Sequence, residues 1–265
     1  MKNLINYSQK AKLFSYQSRI DIAKIVHKAK GGHIGGSLSV IDILSSIYAL
    51  NQISEFEFIL SKGHCLLAWL VTLIRTGEID KSDLDDYYQN NSRFGGHPKK
   101  GSLKSITWST GSLGHGLSVS CGKALANKNK KFICVIGDGE ANEGSIWEGF
   151  MFMAQHKISN LLVIIDNNKQ ESLDFTDNIL SISDVSKRLD AIGLDAKNID
   201  GHCTDELVTN INQFLSNSHI KIPKVFVANT IKGKGISFME RDPKWHHRKI
   251  KDDELIQAIK ELEVK

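Results

Sequence analysis

The sequence predicts an α/β fold, a parallel sheet flanked by helices. Three observations predict it. An apolar run, Phe132 to Ile136, stops at Gly137-Asp138-Gly139. A helical stretch opens after Gly144, and a second apolar run, Leu161 to Ile165, stops at Asp166-Asn167-Asn168. Strand, glycine turn, helix, strand and acid-amide turn make one βαβ unit, with polar groups at the carboxyl ends of both strands. With 265 residues the chain is long enough to bury a sizeable core. One domain, 1–265, is the natural count, with its core over 8–250 and a terminal helix in 251–265.

The elements follow in order. Residues 8–29 read as a helix with Leu13, Ile20, Ile22, Ile25 and Val26 on its apolar face, stopped by Gly31-Gly32. The loop GGHIGGS, 31–37, spends four glycines around His33, which suits a backbone that approaches a ligand closely. Ser39 to Leu50 reads as a helix with Ser39 at its N-cap. Phe58-Ile59-Leu60 is a short buried strand ending in Ser61-Lys62-Gly63-His64, and a helix, Cys65 to Arg75, begins at once. A histidine at a helix mouth is well placed for phosphate oxygens.

Residues 76–92 are polar and read as a short surface helix and loop, and Gly95-Gly96-His97-Pro98 follows as a tight turn with an extended exit. Ser109-Thr110-Gly111-Ser112-Leu113-Gly114-His115-Gly116 is a glycine loop before a helix, Leu117 to Asn127. It is only faintly like a dinucleotide loop, because no convincing strand precedes it, and NAD is disfavoured. After the acid-amide turn, 171–183 reads as turns, Leu189 to Leu194 as a helix end and Asp195 to Ile199 as a short strand. A helix, Asp205 to Leu215, leads into the last strand, Lys224 to Thr230, and then the basic glycine loop Ile231 to Ile236. The tail is a helix, Asp252 to Glu263, with Leu255, Ile259 and Leu262 inward.

Composition narrows the classes. A net charge of +4 with acids and bases interspersed is too mild for a nucleic-acid partner, and Lys128 to Lys131 reads as a solvated turn. No apolar run is long enough to cross a membrane, and no apolar leader opens the chain. Cys65, Cys121, Cys134 and Cys203 lack CxxC spacing and read as reduced thiols of a cytoplasmic protein.

The chemistry gathers at the βαβ unit. In an open parallel sheet, ligands bind outside the carboxyl ends of the strands. Gly137 and Gly139 bring backbone near a ligand, and the following helix aims its N–H groups at an anion. Asp138 and Asn168 each end a strand, so neighbouring strands set them face to face. A carboxylate, an amide oxygen and a backbone carbonyl form a hard oxygen shell that suits Mg²⁺ completed by ligand phosphates. The site asks for a diphosphate held through a metal.

The stretch from GDG to NN resembles the thiamine diphosphate fingerprint, and the fold that this implies is the thiamine diphosphate-binding, diphosphate-domain fold. The resemblance implies thiamine diphosphate and Mg²⁺ as cofactors, with Asp138, Asn168 and the carbonyl of Gln170 on the metal. Asn167 is also an amide; Asn168 is preferred because Asp166-Asn167-Asn168 then aligns with the Asp-X-Asn of transketolases. The other motifs are similar to transketolase motifs as well. GGHIGG resembles the loop whose histidine lines the active site, which implies a catalytic or substrate-contacting His33. The run FILSKGH is similar to FVLSxGH, whose histidine lies by the diphosphate, here His64. GGHP implies a substrate-binding His97. STGSLGHG resembles the loop whose backbone contacts the cofactor, implying Gly111, Leu113 and Gly114, beside Gly137 and Gly139.

TIKGKGISFMERDPKWHH is similar to the run TIKGKGxSFME...WHG of split transketolases, which implies His246 at the diphosphate and reacting centre. The chain departs from that pattern in having His247 where glycine is expected, which leaves His246 against His247 open. Glu143 and Glu148 sit where early helix acids meet the macrodipole. The family places an acidic cluster there, by the cofactors at a subunit interface, and Glu143 matches it better. His202, in an IDGH sequence, reads as structural.

The resemblance covers about residues 8–250 and only the diphosphate-binding half of a transketolase. It implies an N-terminal subunit, active with a separate pyrimidine-domain C-terminal subunit in an α2β2 heterotetramer. The implied reaction transfers a two-carbon ketol unit from a ketose to an aldose, on sugar or sugar-phosphate substrates. Alternatives within thiamine chemistry are a 1-deoxyxylulose-5-phosphate synthase or a dehydrogenase E1 subunit, against which GGHP and WHH stand. A non-catalytic partner that kept the fold, and a subunit recruited to a specialised sugar pathway, are the others. The four histidines lack the spacing of zinc ligands.

Overall fold

The computed structural model describes residues 2–51 and 55–264. Its strands are Phe56–Leu60 (β1), Lys131–Gly137 (β2), Leu161–Asn167 (β3), Asp195–Asp200 (β4) and Lys224–Asn229 (β5). They form one sheet in the order β1-β2-β3-β5-β4, and every neighbouring pair is parallel. A parallel sheet is covered on both faces, which is why its inner strands read as continuous apolar runs. β3 lies in the middle and is buried along its whole length. β4 is one of the two edges, with only Ile199 buried, and its exposed Asp195, Lys197 and Asp200 discourage further strand pairing.

The helices are Lys2–Ala29 (α1), Ile34–Ala49 (α2), Leu66–Thr76 (α3), Gly116–Ala126 (α4), Gly144–Gln155 (α5), Thr176–Ile179 (α6), Val185–Ala191 (α7), Thr204–Ser216 (α8) and Asp252–Glu263 (α9). The strands divide their side chains between two layers by the two-residue period. Ile133 and Val135 of β2 and Leu162 and Ile164 of β3 join the core under α1, α2, α3, α8 and α9. Phe132, Cys134 and Ile136 and Leu161, Val163 and Ile165 join the core under α4, α5 and α7. α2 is buried on every side, as a helix apolar all round must be.

The structure corrects several boundaries. α1 begins at Lys2, ahead of residue 8. α2 begins at Ile34, so Ser39 is not an N-cap; His33 holds that position, and the Ser39 hydroxyl donates to the Gly36 carbonyl and to Asp166 Oδ2. The glycines read as loop are helical because of what they touch: a Cβ on Gly35 would lie 2.7 Å from the Trp245 carbonyl, and one on Gly36 2.9 Å from Cys65 Sγ. Tertiary contact overrides helix propensity there. Gly63–Cys65 is a 3-10 turn, so the helix read from Cys65 starts at Leu66. The stretch read as turns holds α6. In α9, Leu262 is buried while Leu255 and Ile259 pack partly buried against the core. Met1, residues 52–54 and Lys265, included in the 1–265 domain reading, lie outside the described residues. Among the described residues no helix is long and apolar enough to cross a membrane.

Candidate active site

The carboxyl ends of β1, β2 and β3 open into one cleft. β2 and β3 pair with Gly137 opposite Asp166, which sets the residues after each strand side by side. Asp138 ties the two exits together: its carboxylate accepts from the Gly139 N–H at 2.9 Å and the Lys169 N–H at 2.5 Å. Asn168 lines the cleft, and its Oδ1 accepts from the Gln170 N–H at 3.1 Å. Asn167 turns away and donates to Asn229 Oδ1 on β5 at 2.8 Å. Asn168 thus shares the cleft with Asp138, while the Asn167 side chain is tied to β5.

Several observations fit this corner to a cation and an anionic cofactor. Burial and the charge of Asp166 push the Asp138 carboxyl up to about 6, since two backbone N–H groups do not fully offset its charge. Both polar atoms of the Gln170 side chain are buried without a hydrogen-bond partner, as is His33 Nδ1. Lys232 reaches in from the loop after β5; its amine donates to the Glu171 carbonyl at 2.7 Å and lies 3.0 Å from His246 Nδ1. Burial and neighbouring Lys62 pull that amine down to about 8.

His33 sits at the centre of a histidine cluster. Its ring centroid lies 5.5 Å from His64, 5.5 Å from His97, 5.3 Å from His246 and 4.6 Å from His247. Burial first, then His247 and His97, lower His33 to about 4. Burial and Lys232 lower His246 to about 3, burial and Lys62 hold His64 well below the ordinary imidazole value, and burial lowers His97. Neutral rings have one donor and one acceptor each, the state needed to pass a proton or orient a hydroxyl. Among the described residues no group of three or more His, Cys, Asp and Glu is placed to hold a metal ion.

Of the residues singled out from sequence, His33, His64, His97, His246, Gly111, Leu113, Gly137, Asp138, Gly139, Asn168 and Gln170 all line the cleft. Gly114 lies behind it, its N–H donating to Glu140 Oε1 at 3.0 Å. Glu143 stays outside, exposed at the N-cap of α5. His202 has a structural place: Nε2 accepts from the Ile231 N–H at 2.8 Å, so Nδ1 carries the proton and donates to Asp42 at 2.7 Å.

Sequence reasoning missed three supports. Lys62 is buried in the cleft wall, paired with Asp166, which also accepts from Thr230 and Ser39. The available signal was an aspartate at the end of an otherwise apolar central strand, since a buried charge needs a partner. Glu140 joins three loops, accepting from Ser61 Oγ at 2.5 Å, the Gly114 N–H and the Gly137 N–H. Its signal was an acid directly after GDG. The buried amide of Gln170 gave no signal, because only its backbone carbonyl belonged to a motif.

Fold and cleft together define a class, an α/β protein that holds an anionic cofactor at the carboxyl ends of a parallel sheet. The family model described as the transketolase, thiamine diphosphate binding domain matches residues 11–265, and the chain belongs to this family. Over 264 residues the chain is 36% identical to one of the subunits of the apulose-4-phosphate transketolase of Phocaeicola vulgatus, covering 94% of this chain and 92% of that protein. It is 33% identical to the 6-deoxy-6-sulfo-D-fructose transketolase subunit of a Clostridium species, covering 88% of each. The solved transketolase of Campylobacter jejuni superposes with a TM-score of 0.85 at 25% identity, covering 97% of this chain and 43% of that one. That of Leishmania mexicana gives 0.86 at 20% identity, covering 96% and 41%. The chain therefore spans well under half the length of these solved transketolases, and what it spans is their thiamine diphosphate-binding part.

Proposed function

We propose that this chain is the N-terminal subunit of a split transketolase, which transfers a two-carbon ketol unit from a ketose to an aldose once joined by a separate pyrimidine-domain subunit. The observation that carries the proposal is the convergence of the Asp138, Asn168 and Gln170 oxygens with His33, His64, His97 and His246 in one cleft. Asp138, Asn168 and the Gln170 carbonyl would hold Mg²⁺, whose hard, oxygen-seeking chemistry they match. Lys232 and His64 would face the diphosphate. Bound thiamine diphosphate supplies the chemistry at carbon, while the protein binds, orients and handles protons. His33 and His97 hydrogen-bond the carbonyl and hydroxyls of the sugar, and His246 serves a proton next to the reacting carbon.

The partner is argued from length and from surface. The two subunit-type relatives match this chain nearly end to end, whereas the solved full-length enzymes continue far beyond it. Met151 and Phe152 on α5, with Leu173, Phe175, Ile179 and Leu180 beyond the cleft, leave large apolar side chains exposed. Apolar side chains left open to solvent on these elements support an interaction surface there. Exposed Glu143 on the same helix belongs to that interface in our reading, and the assembly is an α2β2 heterotetramer of the cytoplasm. A second reading, a subunit of a modified-sugar pathway, is favoured by the names of the two subunit-type relatives.

The test begins with purification of the chain from its host and identification of what accompanies it by mass. Magnesium-dependent binding of thiamine diphosphate to that complex is then measured by calorimetry. Asp138→Ala should weaken binding at least tenfold, and an unchanged affinity would sink the metal assignment. Full turnover by His33→Ala or His97→Ala would remove the substrate roles.

A further inference from the structure

One histidine of the cluster is left without a role. His247 stands outside the cleft lining, exposed, at the shortest ring distance to His33, 4.6 Å in a T-shaped contact. His33, His64 and His246 are the inner, partly buried members, while His97 and His247 are the exposed ones. His97 and His247, on the solvent side of the cluster, are therefore the members placed to meet the part of a substrate that lies away from the inner three.

The His247 ring is held in place. The Tyr88 hydroxyl lies 3.1 Å from His247 Nε2. Among the described residues no other hydrogen bond joins that ring, so its Nδ1 is left to meet a ligand. Tyr88 is itself a costly choice: its φ is +65°, a left-handed conformation that bulky side chains rarely adopt. It is fixed by its N–H donating to the Phe94 carbonyl at 3.0 Å. Gly96 leaves room for it, since a Cβ there would lie 2.7 Å from the Tyr88 ring. The second glycine of GGHP thus makes room for the Tyr88 ring that meets His247. Backbone strain maintained at a rim, with a glycine reserved to allow it, is the kind of feature functional sites retain.

We infer that His247, steadied by Tyr88, is a specificity-determining residue that hydrogen-bonds the hydroxyl-bearing chain of the ketose beyond the two transferred carbons. The inference rests on the transketolase reading proposed above. An imidazole and a phenol suit hydroxyls, whereas a phosphate calls for the charge and geometry of Arg or Lys.

The test uses the complex with its pyrimidine-domain partner, thiamine diphosphate, Mg²⁺ and a fixed aldose acceptor. Two donors are compared. One is 3-hydroxypyruvate, which carries a ketol group but no polyol chain. The other is whichever of D-xylulose 5-phosphate and D-fructose 6-phosphate the wild type uses faster. In His247→Gly the ratio of kcat/KM, ketose over hydroxypyruvate, should fall roughly three- to tenfold, the effect of one or two lost hydrogen bonds, with most of the change in KM. Tyr88→Phe, an exposed change that keeps the ring, should give a smaller fall of the same kind. An unchanged ratio in both variants, or equal loss with both donors, overturns the inference and leaves the transketolase reading standing. A wild-type complex inactive with every donor overturns that reading and the inference with it.

Discussion

Asp166→Asn should be among the most damaging single changes outside the reacting groups themselves. The Asp166 side chain is fully buried and that of Lys62 is 1% exposed, and they form an ion pair in the wall of the cleft. Burial alone would raise the Asp166 carboxyl, but Lys62, Ser39 and Thr230 hold it below its ordinary value. A depressed carboxylate contributes stability above its unfolded pKa that is lost as pH falls through the folded one, so at neutral pH the contribution is complete. Removing one partner of a buried pair leaves an ammonium without a counter-charge and costs about 3–5 kcal/mol. For a domain of this size that is a fall in thermal midpoint of roughly 6–20 °C. The assay is thermal unfolding of the cofactor-free complex at fixed protein concentration. Lys62→Met added to Asp166→Asn should recover at least about 2 kcal/mol, because the stranded charge is then gone. A single variant within about 1 kcal/mol of wild type, or a double variant no better than the single, would refute the argument.

Two further predictions concern the same cleft. His33, His64, His97 and His246 are all lowered from the ordinary imidazole value, so below about pH 6.5 the unfolded chain takes up protons that the fold refuses. Stability should fall with pH until about 4 for His33 and about 3 for His246, by at most ~1.4 kcal/mol per pH unit for each ring. Asp138 and Glu140, both raised, act in the opposite sense, and His33→Asn isolates the histidine contribution. Its thermal midpoint should drop less than wild type between pH 7.5 and 5.5, by midpoints measured across about ten buffers, and equal drops would count against the argument. Glu140→Ala strands the Ser61 hydroxyl and the Gly114 and Gly137 N–H groups, at about 1–3 kcal/mol for each group left unpaired. It should also loosen the cofactor loops and weaken thiamine diphosphate binding about tenfold or more by calorimetry, an effect that Glu140→Gln should reproduce only in part.

Much of the fold was legible because parallel strands announce themselves. β2 and β3 are unbroken apolar runs closed by polar turns, and both appear within two residues of the boundaries expected from sequence. Helix starts were less legible. Ser39 has the chemistry of a cap, yet α2 runs back to Ile34 because the Trp245 carbonyl and Cys65 press against Gly35 and Gly36. Those neighbours come from distant parts of the chain, and no local pattern reports them.

By itself the sequence determined the βαβ unit, the glycine loops and the four histidines, because strand burial, tight turns and close backbone approach each demand particular residue types at particular spacings. It also determined which turns carry them to the carboxyl edge of the sheet. Only the tertiary structure decided that Asn168 lines the cleft while Asn167, the last residue of β3, is tied to Asn229 of β5. It also decided the partners of the buried charges, Lys62 with Asp166 and Glu140 with three loops, and the place of His247 beside Tyr88. Each joins segments far apart in the chain, and such a contact is fixed by packing rather than by spacing.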